Sequence, residues 1–351
     1  MSEEELIVSR DGRLGGIRLN RPAALNSLTL GMVRLFTHAL DAFATDDEIC
    51  AVLVTGAGER GLCAGGDIRL LYEARGAADH PYKEFWREEY QLNARIASFP
   101  KPYVVIMDGI VMGGGVGISA HGNRRIVTER TRLAMPEVGI GYIPDVGGSW
   151  LLTRKEGGGG AYMALTGAAV GAADAIGVGL ADVTIDSGDG PELQCWLADV
   201  STVAEVDPIL ERFARKADEG ILAQHRDLLE AAVTRERVEE IVAALSAETS
   251  DFARSAVAKI VANSPTSVRL THELLKRAAR AGSLKECLNN EYRAACSLLE
   301  THDLYEGVRA AIIDKDRSPR WSPASLNEVD DATIERLLAG TGDVDPFEES
   351  S

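Results

Sequence analysis

Two stretches of this chain run from an apolar segment into a cluster of glycines and then into a helical pattern. In the second stretch, the apolar residues 103–107 and the turn Asp108-Gly109 precede Met112-Gly-Gly-Gly-Val-Gly117. Three consecutive glycines between a buried strand and a helix let the backbone turn sharply and direct its N–H groups into a cleft. The pattern predicts an α/β fold in which this turn can hold a developing negative charge.

The earlier stretch has the same form. Residues 51–55 are typical of a buried strand, and Gly56-Ala-Gly-Glu-Arg-Gly61 and Leu62-Cys-Ala-Gly-Gly-Asp67 follow it. Two such loops can each supply one N–H to a single oxyanion hole, which acyl transfer requires. Glycine-rich turns more often serve close packing alone, so glycine by itself does not establish catalysis.

Composition limits the function classes. The chain has 351 residues, 45% of them hydrophobic, which suits one large globular domain or two. Its net charge of -17 argues against nucleic acid or an anionic membrane as the main partner. Neither a leader pattern nor an apolar run of membrane-spanning length is present, and the cysteines form no metal-binding pair. We therefore expect a cytoplasmic location, reduced thiols and no metal.

The pattern of elements predicts an α/β core followed by helices. A β-hairpin is expected around Asp11-Gly12, and Thr29 can cap a helix that ends near Asp46. We assign residues 1–200 to a catalytic core, 201–340 to a helical region that covers the site and mediates self-association, and 341–351 to a disordered tail. The helices predicted after the core are 208–217, 221–232, 238–245, 252–262, 266–279 and 284–299.

Two acidic residues stand in an apolar, glycine-jointed segment, Leu133-Ala-Met-Pro-Glu-Val-Gly-Ile-Gly-Tyr-Ile-Pro-Asp145. Burial there raises the pKa of a carboxyl group toward neutrality, which suits Glu137 to act as a base or nucleophile. On this segment alone, a carboxylate that pairs with Arg132 or caps a helix is the commoner arrangement.

Other candidate residues are weaker. Glu89 interrupts an apolar helical stripe where a charge is costly, although a snorkelling side chain at the edge of the core is more common. His121 fits the end of a helix better than a base, and Cys63 fits a small packing residue better than a nucleophile. The segment Gly56–Gly61 matches a dinucleotide fingerprint, but the glycines after it disrupt the helix that the fingerprint requires.

Taken together, several motifs in order resemble the enoyl-CoA hydratase/isomerase (crotonase) superfamily, and within it the branch that hydrolyses 3-hydroxyisobutyryl-CoA. They span residues 20 to 321, and their order is specific although each alone is weak. The motifs are Asn20-Arg-Pro-Ala-Ala-Leu-Asn26, Cys63-Ala-Gly-Gly-Asp-Ile68, Phe85-Trp-Arg-Glu-Glu-Tyr90, Met112-Gly-Gly-Gly-Val-Gly117, Met135-Pro-Glu137, Pro144-Asp-Val-Gly-Gly148, Glu306-Gly-Val-Arg-Ala310 and Asp314-Lys-Asp-Arg-Ser-Pro-Arg-Trp321.

The resemblance implies a crotonase-like ββα spiral core and a set of site residues. It implies that Ala64 and Gly114 donate the oxyanion-hole N–H groups, that Glu137 is the catalytic glutamate, acting as nucleophile or base, and that Asp145 assists proton movement. It also implies substrate contacts for Glu89, Gly65, Gly66, Asp67 and Gly113. Relatives often hold the coenzyme phosphates with a lysine where this chain has Ala23, so Arg21 and Lys315 are expected to take that role.

One departure favours hydrolysis over hydration. Hydratases of the superfamily carry a second glutamate where this chain has Gly117, and water addition across a double bond needs that second proton-transfer group. We expect a short branched 3-hydroxyacyl-CoA, as in valine breakdown, to yield free acid and coenzyme A without a separate cofactor. An enoyl-CoA hydratase or isomerase and an inactive acyl-CoA-binding scaffold remain alternatives. A homo-oligomer is expected, with neither nucleic acid nor membrane as partner.

Overall fold

Two β-sheets form the framework of the computed structural model, which describes residues 4–77 and 80–348. A six-stranded sheet has the order β1-β2-β3-β5-β7-β9, and a three-stranded sheet has the order β4-β6-β8. The strands are β1 (Leu6–Asp11), β2 (Leu14–Leu19), β3 (Ala51–Gly56), β4 (Gly61–Cys63), β5 (Tyr103–Met107), β6 (Ile110–Met112), β7 (Arg124–Thr128), β8 (Arg132–Ala134) and β9 (Val183–Ile185).

The predicted hairpin and buried strands are confirmed. β1 and β2 pair antiparallel from Leu6↔Leu19 to Asp11↔Leu14, and the following neighbours in the large sheet are parallel. β3 and β5 are almost entirely buried, as their continuous apolar sequences predict for parallel strands with both faces covered. Parallel pairing brings the carboxyl ends of these strands, where the glycine loops begin, to one edge of the sheet.

Helices make up most of the remaining regular structure. They are α1 (Leu30–Thr45), α2 (Ile68–Glu73), α3 (Tyr82–Ala97), α4 (Gly114–Ser119), α5 (Gly148–Leu151), α6 (Gly159–Thr166), α7 (Ala172–Gly177), α8 (Gly190–Ala198), α9 (Val206–Phe213), α10 (Ile221–Gln224), α11 (Arg226–Val233), α12 (Val238–Ser246), α13 (Asp251–Ala262), α14 (Pro265–Arg280), α15 (Leu284–Leu298), α16 (His302–Val308) and α17 (Asp331–Ala339). Short 3-10 turns lie at Pro22–Ala24, Glu137–Ile140, Ser187–Asp189, Val203–Glu205 and Leu326–Glu328, and a π-helical turn at Arg309–Ile313.

The helix boundaries largely follow the sequence signals. The Thr29 side chain accepts a hydrogen bond from the Met32 N–H, which caps α1 as predicted. The predicted helix 208–217 ends earlier, at Phe213, because the Arg215 N–H donates to the Thr184 carbonyl in an extended bridge. The predicted helix 221–232 is interrupted at His225. Among the described residues, none of these helices has the length and apolar character needed to cross a membrane.

The chain divides into two compact units that do not follow the expected boundary at residue 200. The sheet unit comprises the chain up to Gly66, Gln91–Leu133 and Val170–Gly220. The helical unit comprises Asp67–Tyr90, Ala134–Ala169 and the chain from Ile221 onward. The reason is that two segments of the first half, Asp67–Tyr90 and Ala134–Ala169, pack with the later helices. For example, the Asn263 side chain donates to the Leu165 carbonyl at 3.1 Å.

The sheet unit has its core on one face of the large sheet. Two helices, α8 and α9, cover this face with apolar side chains and exclude water from it. The buried residues that they share with the strands include Leu14, Leu53, Val104, Ile126, Leu193, Leu197, Val206 and Leu210.

In the helical unit, α15 packs against α14 and α17, and the chain after α17 returns to contact α3 and α15. We call residues 343–345 the C-terminal strap. Asp343 accepts hydrogen bonds from Lys83 of α3 at 2.8 and 2.9 Å, and Asp345 pairs with Arg293 of α15. Asp345 is only 2% exposed. A disordered tail was expected from residue 341, whereas these residues are bonded; residues 349–351 lie outside the described part of the chain.

Candidate active site

The two glycine loops lie side by side within the sheet unit. Gly65 (φ 105°) and Gly113 (φ 50°) adopt backbone conformations that side chains disfavour. A Cβ atom added to Gly65 would lie 3.4 Å from the Met112 carbonyl oxygen and 3.6 Å from the Gly114 nitrogen. The convergence of these loops, predicted from their common form, is therefore present in the sheet unit.

The hydrogen bonds of the first loop correct one predicted donor. The Ala64 N–H donates to the Leu25 carbonyl at 3.0 Å, so it is not available to a ligand. The Gly66 N–H has no acceptor in the described part of the chain. In the bridge between Leu28 and Gly66, the Leu28 N–H donates to the Gly65 carbonyl, and the Gly66 N–H takes no part. The first loop thus offers Gly66 rather than Ala64.

The second loop offers Gly114. This residue is the first of α4, where an N–H has no acceptor within its own helix, and no other acceptor meets it among the described residues. Gly66 and Gly114 therefore each present an N–H group without an acceptor among the described residues.

Cys63 serves packing, as predicted. It is fully buried, and a Cβ atom on Gly115 would come within 2.3 Å of the Cys63 carbonyl oxygen. The close approach of the two loops explains why glycine stands at position 115. The dinucleotide interpretation fails at the same place, because Gly61 begins strand β4 rather than a helix.

Three acidic side chains that the sequence singled out lie in the helical unit and are buried. Glu89 is 2% exposed and Glu137 is 7% exposed, and Oε1 of Glu89 and Oε2 of Glu137 have no hydrogen-bond partner among the described residues. Burial, and next the charge of Asp145, raise the pKa of both carboxyl groups well above their ordinary values. Buried oxygen atoms without partners are costly and commonly mark ligand or water sites.

Asp145 is buried but well bonded. Its Oδ2 accepts hydrogen bonds from the phenolic groups of Tyr90 at 2.7 Å and Tyr142 at 3.0 Å. Burial raises the pKa of Asp145 to about 6, and the two tyrosine hydrogen bonds oppose this rise. Asp145 is therefore mostly ionised at neutral pH, while burial favours the protonated forms of Glu89 and Glu137.

A fourth buried acid supports the Asp145 loop. Glu291 of α15 accepts hydrogen bonds from the Gly147 N–H at 2.7 Å and the Ser149 N–H at 2.9 Å, and from the Ser149 hydroxyl. Burial raises the pKa of Glu291 to about 8, and these hydrogen bonds act against the rise. The carboxyl group occupies the N-terminal end of α5, which has no side-chain cap of its own.

Aromatic rings pack beside these acids. The rings of Trp86 and Tyr142 stack with an interplanar angle of 9° and a centroid distance of 5.3 Å, and Tyr82 packs edge-on against Trp86. The Tyr82 hydroxyl is buried without a partner among the described residues. Burial beside such apolar groups disfavours the charged form of a carboxyl group and so raises its pKa.

The remaining predicted site residues have less specific surroundings. Asp67 is half-buried and precedes α2. Arg21 pairs with Glu5 at 3.1 Å and donates to the Ser27 carbonyl at 2.7 Å, and Lys315 is exposed. A coenzyme-binding role for Arg21 and Lys315 stays a prediction.

Sequence reasoning did not identify Tyr90, Tyr142 and Glu291 as functional residues. A signal for Glu291 exists, since it falls three or four residues after Cys287 and Leu288 on the buried stripe of α15. An acid on such a stripe is costly unless it is bonded. The two tyrosines carry no comparable signal, because buried tyrosines are common in cores.

Unbonded backbone amides can stabilise an oxyanion, and buried carboxyl groups with raised pKa values can transfer protons. The chain matches the enoyl-CoA hydratase/isomerase family over residues 14–338, and it belongs to that family. The two sheets and the helical C-terminal region are those of the crotonase fold, as predicted.

Individual relatives are similar over nearly the whole chain. The "3-hydroxyisobutyryl-CoA hydrolase, mitochondrial" of Gallus gallus is 38% identical over 98% of this chain and 91% of its own length. The protein of the same name from Homo sapiens is 38% identical over 97% and 90%. A solved structure described as a carnitinyl-CoA dehydratase from Mycobacterium thermoresistibile is 44% identical, with a TM-score of 0.93 over 99% of this chain and 100% of that one.

These names contradict one expectation. The sequence suggested a cytoplasmic location, whereas the hydrolases from Gallus gallus and Homo sapiens are both named mitochondrial. The expectation rested on the lack of a leader pattern in the sequence, and that lack is not informative about location.

Proposed function

We propose that this protein hydrolyses the thioester of a short branched 3-hydroxyacyl-CoA, with 3-hydroxyisobutyryl-CoA as the substrate and free acid and coenzyme A as the products. The observation that carries the proposal is the similarity, over nearly the full length, to proteins named for that reaction. Coenzyme A is part of the substrate, and the proposed reaction requires no further cofactor.

In the proposed reaction, the Gly66 and Gly114 N–H groups bind the thioester oxygen. Support comes from their lack of other acceptors among the described residues and from the contact of their loops. Each donor becomes more effective as the carbonyl oxygen gains negative charge. Loss of one such donor costs about 10²- to 10³-fold in rate in other enzymes.

Glu137 is the proposed catalytic carboxylate. In its ionised form it removes a proton from water, whose oxygen attacks the thioester carbon; the C–S bond then breaks and the proton passes to the leaving sulfur. Alternatively, the carboxylate attacks the carbon itself and water hydrolyses the resulting anhydride. A pKa raised by burial supports the first route, because it makes the ionised carboxylate a stronger base.

Asp145 and Glu89 are proposed to orient the acyl group. Asp145, ionised and fixed by two tyrosines, accepts a hydrogen bond from the substrate hydroxyl. Protonated Glu89 donates one, since burial favours its neutral form. A 3-hydroxy group can form hydrogen bonds with both residues, whereas an unsubstituted acyl chain can form them with neither.

A dehydratase is the second candidate, because the chain is 44% identical to a structure described as a carnitinyl-CoA dehydratase. Against it stands Gly117, which lies in α4 without a side chain where hydratases of the family carry a second glutamate. Acyl transfer needs only one catalytic carboxylate besides the oxyanion donors.

The test is an assay of free thiol release with 3-hydroxyisobutyryl-CoA and a panel of short acyl-CoA thioesters. We expect rapid thiol release, with a higher kcat/KM for the 3-hydroxyacyl thioesters than for the unsubstituted ones. Hydration of crotonyl-CoA or dehydration of carnitinyl-CoA without thiol release would refute the proposal. Single-turnover hydrolysis in labelled water tests the routes of Glu137: solvent oxygen in that side chain requires the anhydride route, with water attacking the Glu137 carbonyl carbon.

A further inference from the structure

Within the described part of the chain, Glu291 forms hydrogen bonds with one short loop alone. The residue is fully buried on α15, and all three of these hydrogen bonds come from Gly147 and Ser149. Gly147 is in the left-handed conformation (φ 79°) and cannot cap α5 with a side chain. Without Glu291, two buried backbone N–H groups at the start of α5 would lose their acceptor.

The same loop carries Asp145. The Gly148 N–H donates to the Asp145 carbonyl at 2.6 Å, which closes a tight turn between Asp145 and the start of α5. Asp145 is thus held at two points, its side chain by Tyr90 and Tyr142 and its backbone by the turn that Glu291 fixes. Both restraints lie within the helical unit.

We infer that Glu291 is a positioning residue: by accepting hydrogen bonds from Gly147 and Ser149, it fixes the turn that directs the Asp145 carboxylate. Glu291 acts through Asp145 and touches no substrate. The inference depends on the proposed function only for its kinetic readout, because Asp145 there contacts the substrate.

If Glu291 only filled space, a substitution that keeps its volume would not affect activity. The substitution Glu291→Gln keeps the volume of the side chain, but its amide nitrogen then faces an N–H donor and leaves that donor without an acceptor. Displacement of a substrate-orienting group by about 1 Å can cost 100-fold in rate. The matched control is Glu286→Gln, the same change at an exposed position of α15.

The experiment is a double-mutant cycle in the thiol-release assay. We expect Glu291→Gln to lower kcat about 10- to 100-fold, with KM changed less than about threefold, and Glu286→Gln to have almost no effect. In an Asp145→Asn background, Glu291→Gln should cause no further loss, because the group it positions is already absent. An equal loss in both backgrounds would overturn the inference.

Two further measurements cover the other outcomes. If Glu291→Gln does not fold, Ser149→Ala takes its place in the same double-mutant cycle. This variant removes one of the three hydrogen bonds, and a smaller loss of kcat is expected. If the wild-type protein releases no thiol, the proposed function fails and the inference is judged by crystallography of wild type and variant. A turn at residues 145–149 that is unchanged in the variant would refute the inference.

Discussion

The phenolic oxygen of Tyr90 lies 2.7 Å from Oδ2 of Asp145. Tyr90 directly follows Glu89 in α3. A hydroxyl that donates to a carboxylate favours its ionised form and lowers its pKa. The two acids therefore differ in their hydrogen bonds. Glu89 has an oxygen without a partner among the described residues, whereas Asp145 accepts hydrogen bonds from two tyrosines. Burial therefore raises the pKa of both acids, and the two tyrosine hydrogen bonds oppose the rise only at Asp145.

Substitution of Tyr90 by phenylalanine should raise the pKa of Asp145. The lost hydrogen bond to a charged group corresponds to about one pKa unit. Activity that depends on ionised Asp145 is lost as the pH falls through its pKa of about 6, so the variant should lose activity at a higher pH. The measurement is kcat/KM against pH, where the lower apparent pKa of the acid limb moves upward. Tyr305→Phe is the control, and an unmoved limb would contradict the assignment.

Glu137→Gln should lower kcat by about 10³-fold or more, because the substitution removes the proposed catalytic carboxylate. KM should change little, since the substituted side chain has the same shape. Thiol release and circular dichroism together check this prediction. A folded variant that is as active as wild type would exclude Glu137 from catalysis, and an inactive wild type would support the scaffold alternative.

The same substitution should stabilise the protein at alkaline pH. Burial raises the folded-state pKa of Glu137 above its unfolded value, so the folded state binds the proton more tightly. The resulting stability is complete below about pH 4.3 and is lost as the pH rises through the folded pKa. We expect Glu137→Gln to raise the Tm at pH 8 by about 1 to 3 °C, and the difference to shrink at pH 4. A lower Tm at pH 8 would contradict the sign of this shift.

Gly115→Ala should disrupt the paired loops, because its Cβ would come within 2.3 Å of the Cys63 carbonyl oxygen. Displacement of the donor loops should reduce kcat by about 10²-fold or more. Gly177→Ala is the matched control, since nothing lies within 4 Å of the added methyl group there. Equal activities of the two variants would show that the loop contact is dispensable.

Asp345→Asn should destabilise the helical unit through the C-terminal strap. The substitution removes the charge that Arg293 pairs with, at a carboxylate that is almost fully buried. Because the Arg293 side chain is 39% exposed, we expect a modest loss of about 1 to 3 kcal/mol in the free energy of unfolding. Urea denaturation compares this variant with Asp218→Asn, an exposed change. Equal stabilities would show that the strap bond contributes nothing.

Local signals were sufficient for much of the fold. The buried strands β3 and β5, the cap at Thr29 and the helices after residue 237 follow from short-range patterns of apolar, capping and glycine residues. The division into two units did not follow, because it depends on contacts such as Asn263 with Leu165 that are distant in sequence.

The acids of the site were predicted better than its amide donors. Glu89, Glu137 and Asp145 stand out because charge in an apolar pattern is costly. The direction of an N–H group instead depends on backbone angles, and the positive φ of Gly65 separates the bonded Ala64 N–H from the unbonded Gly66 N–H. Sequence patterns do not specify that rotation.

The interleaving of the chain means that the acidic cluster is completed late in synthesis. Asp145 lies in the middle of the sequence, but the carboxyl group that secures its turn belongs to Glu291, and the strap follows more than fifty residues later. A ribosome-bound chain that ends near Gly220 would carry every segment of the sheet unit and none of the later helices that anchor these acids. Premature termination therefore yields a chain in which the turn that carries Asp145 lacks its Glu291 acceptor, however much of the sheet has folded.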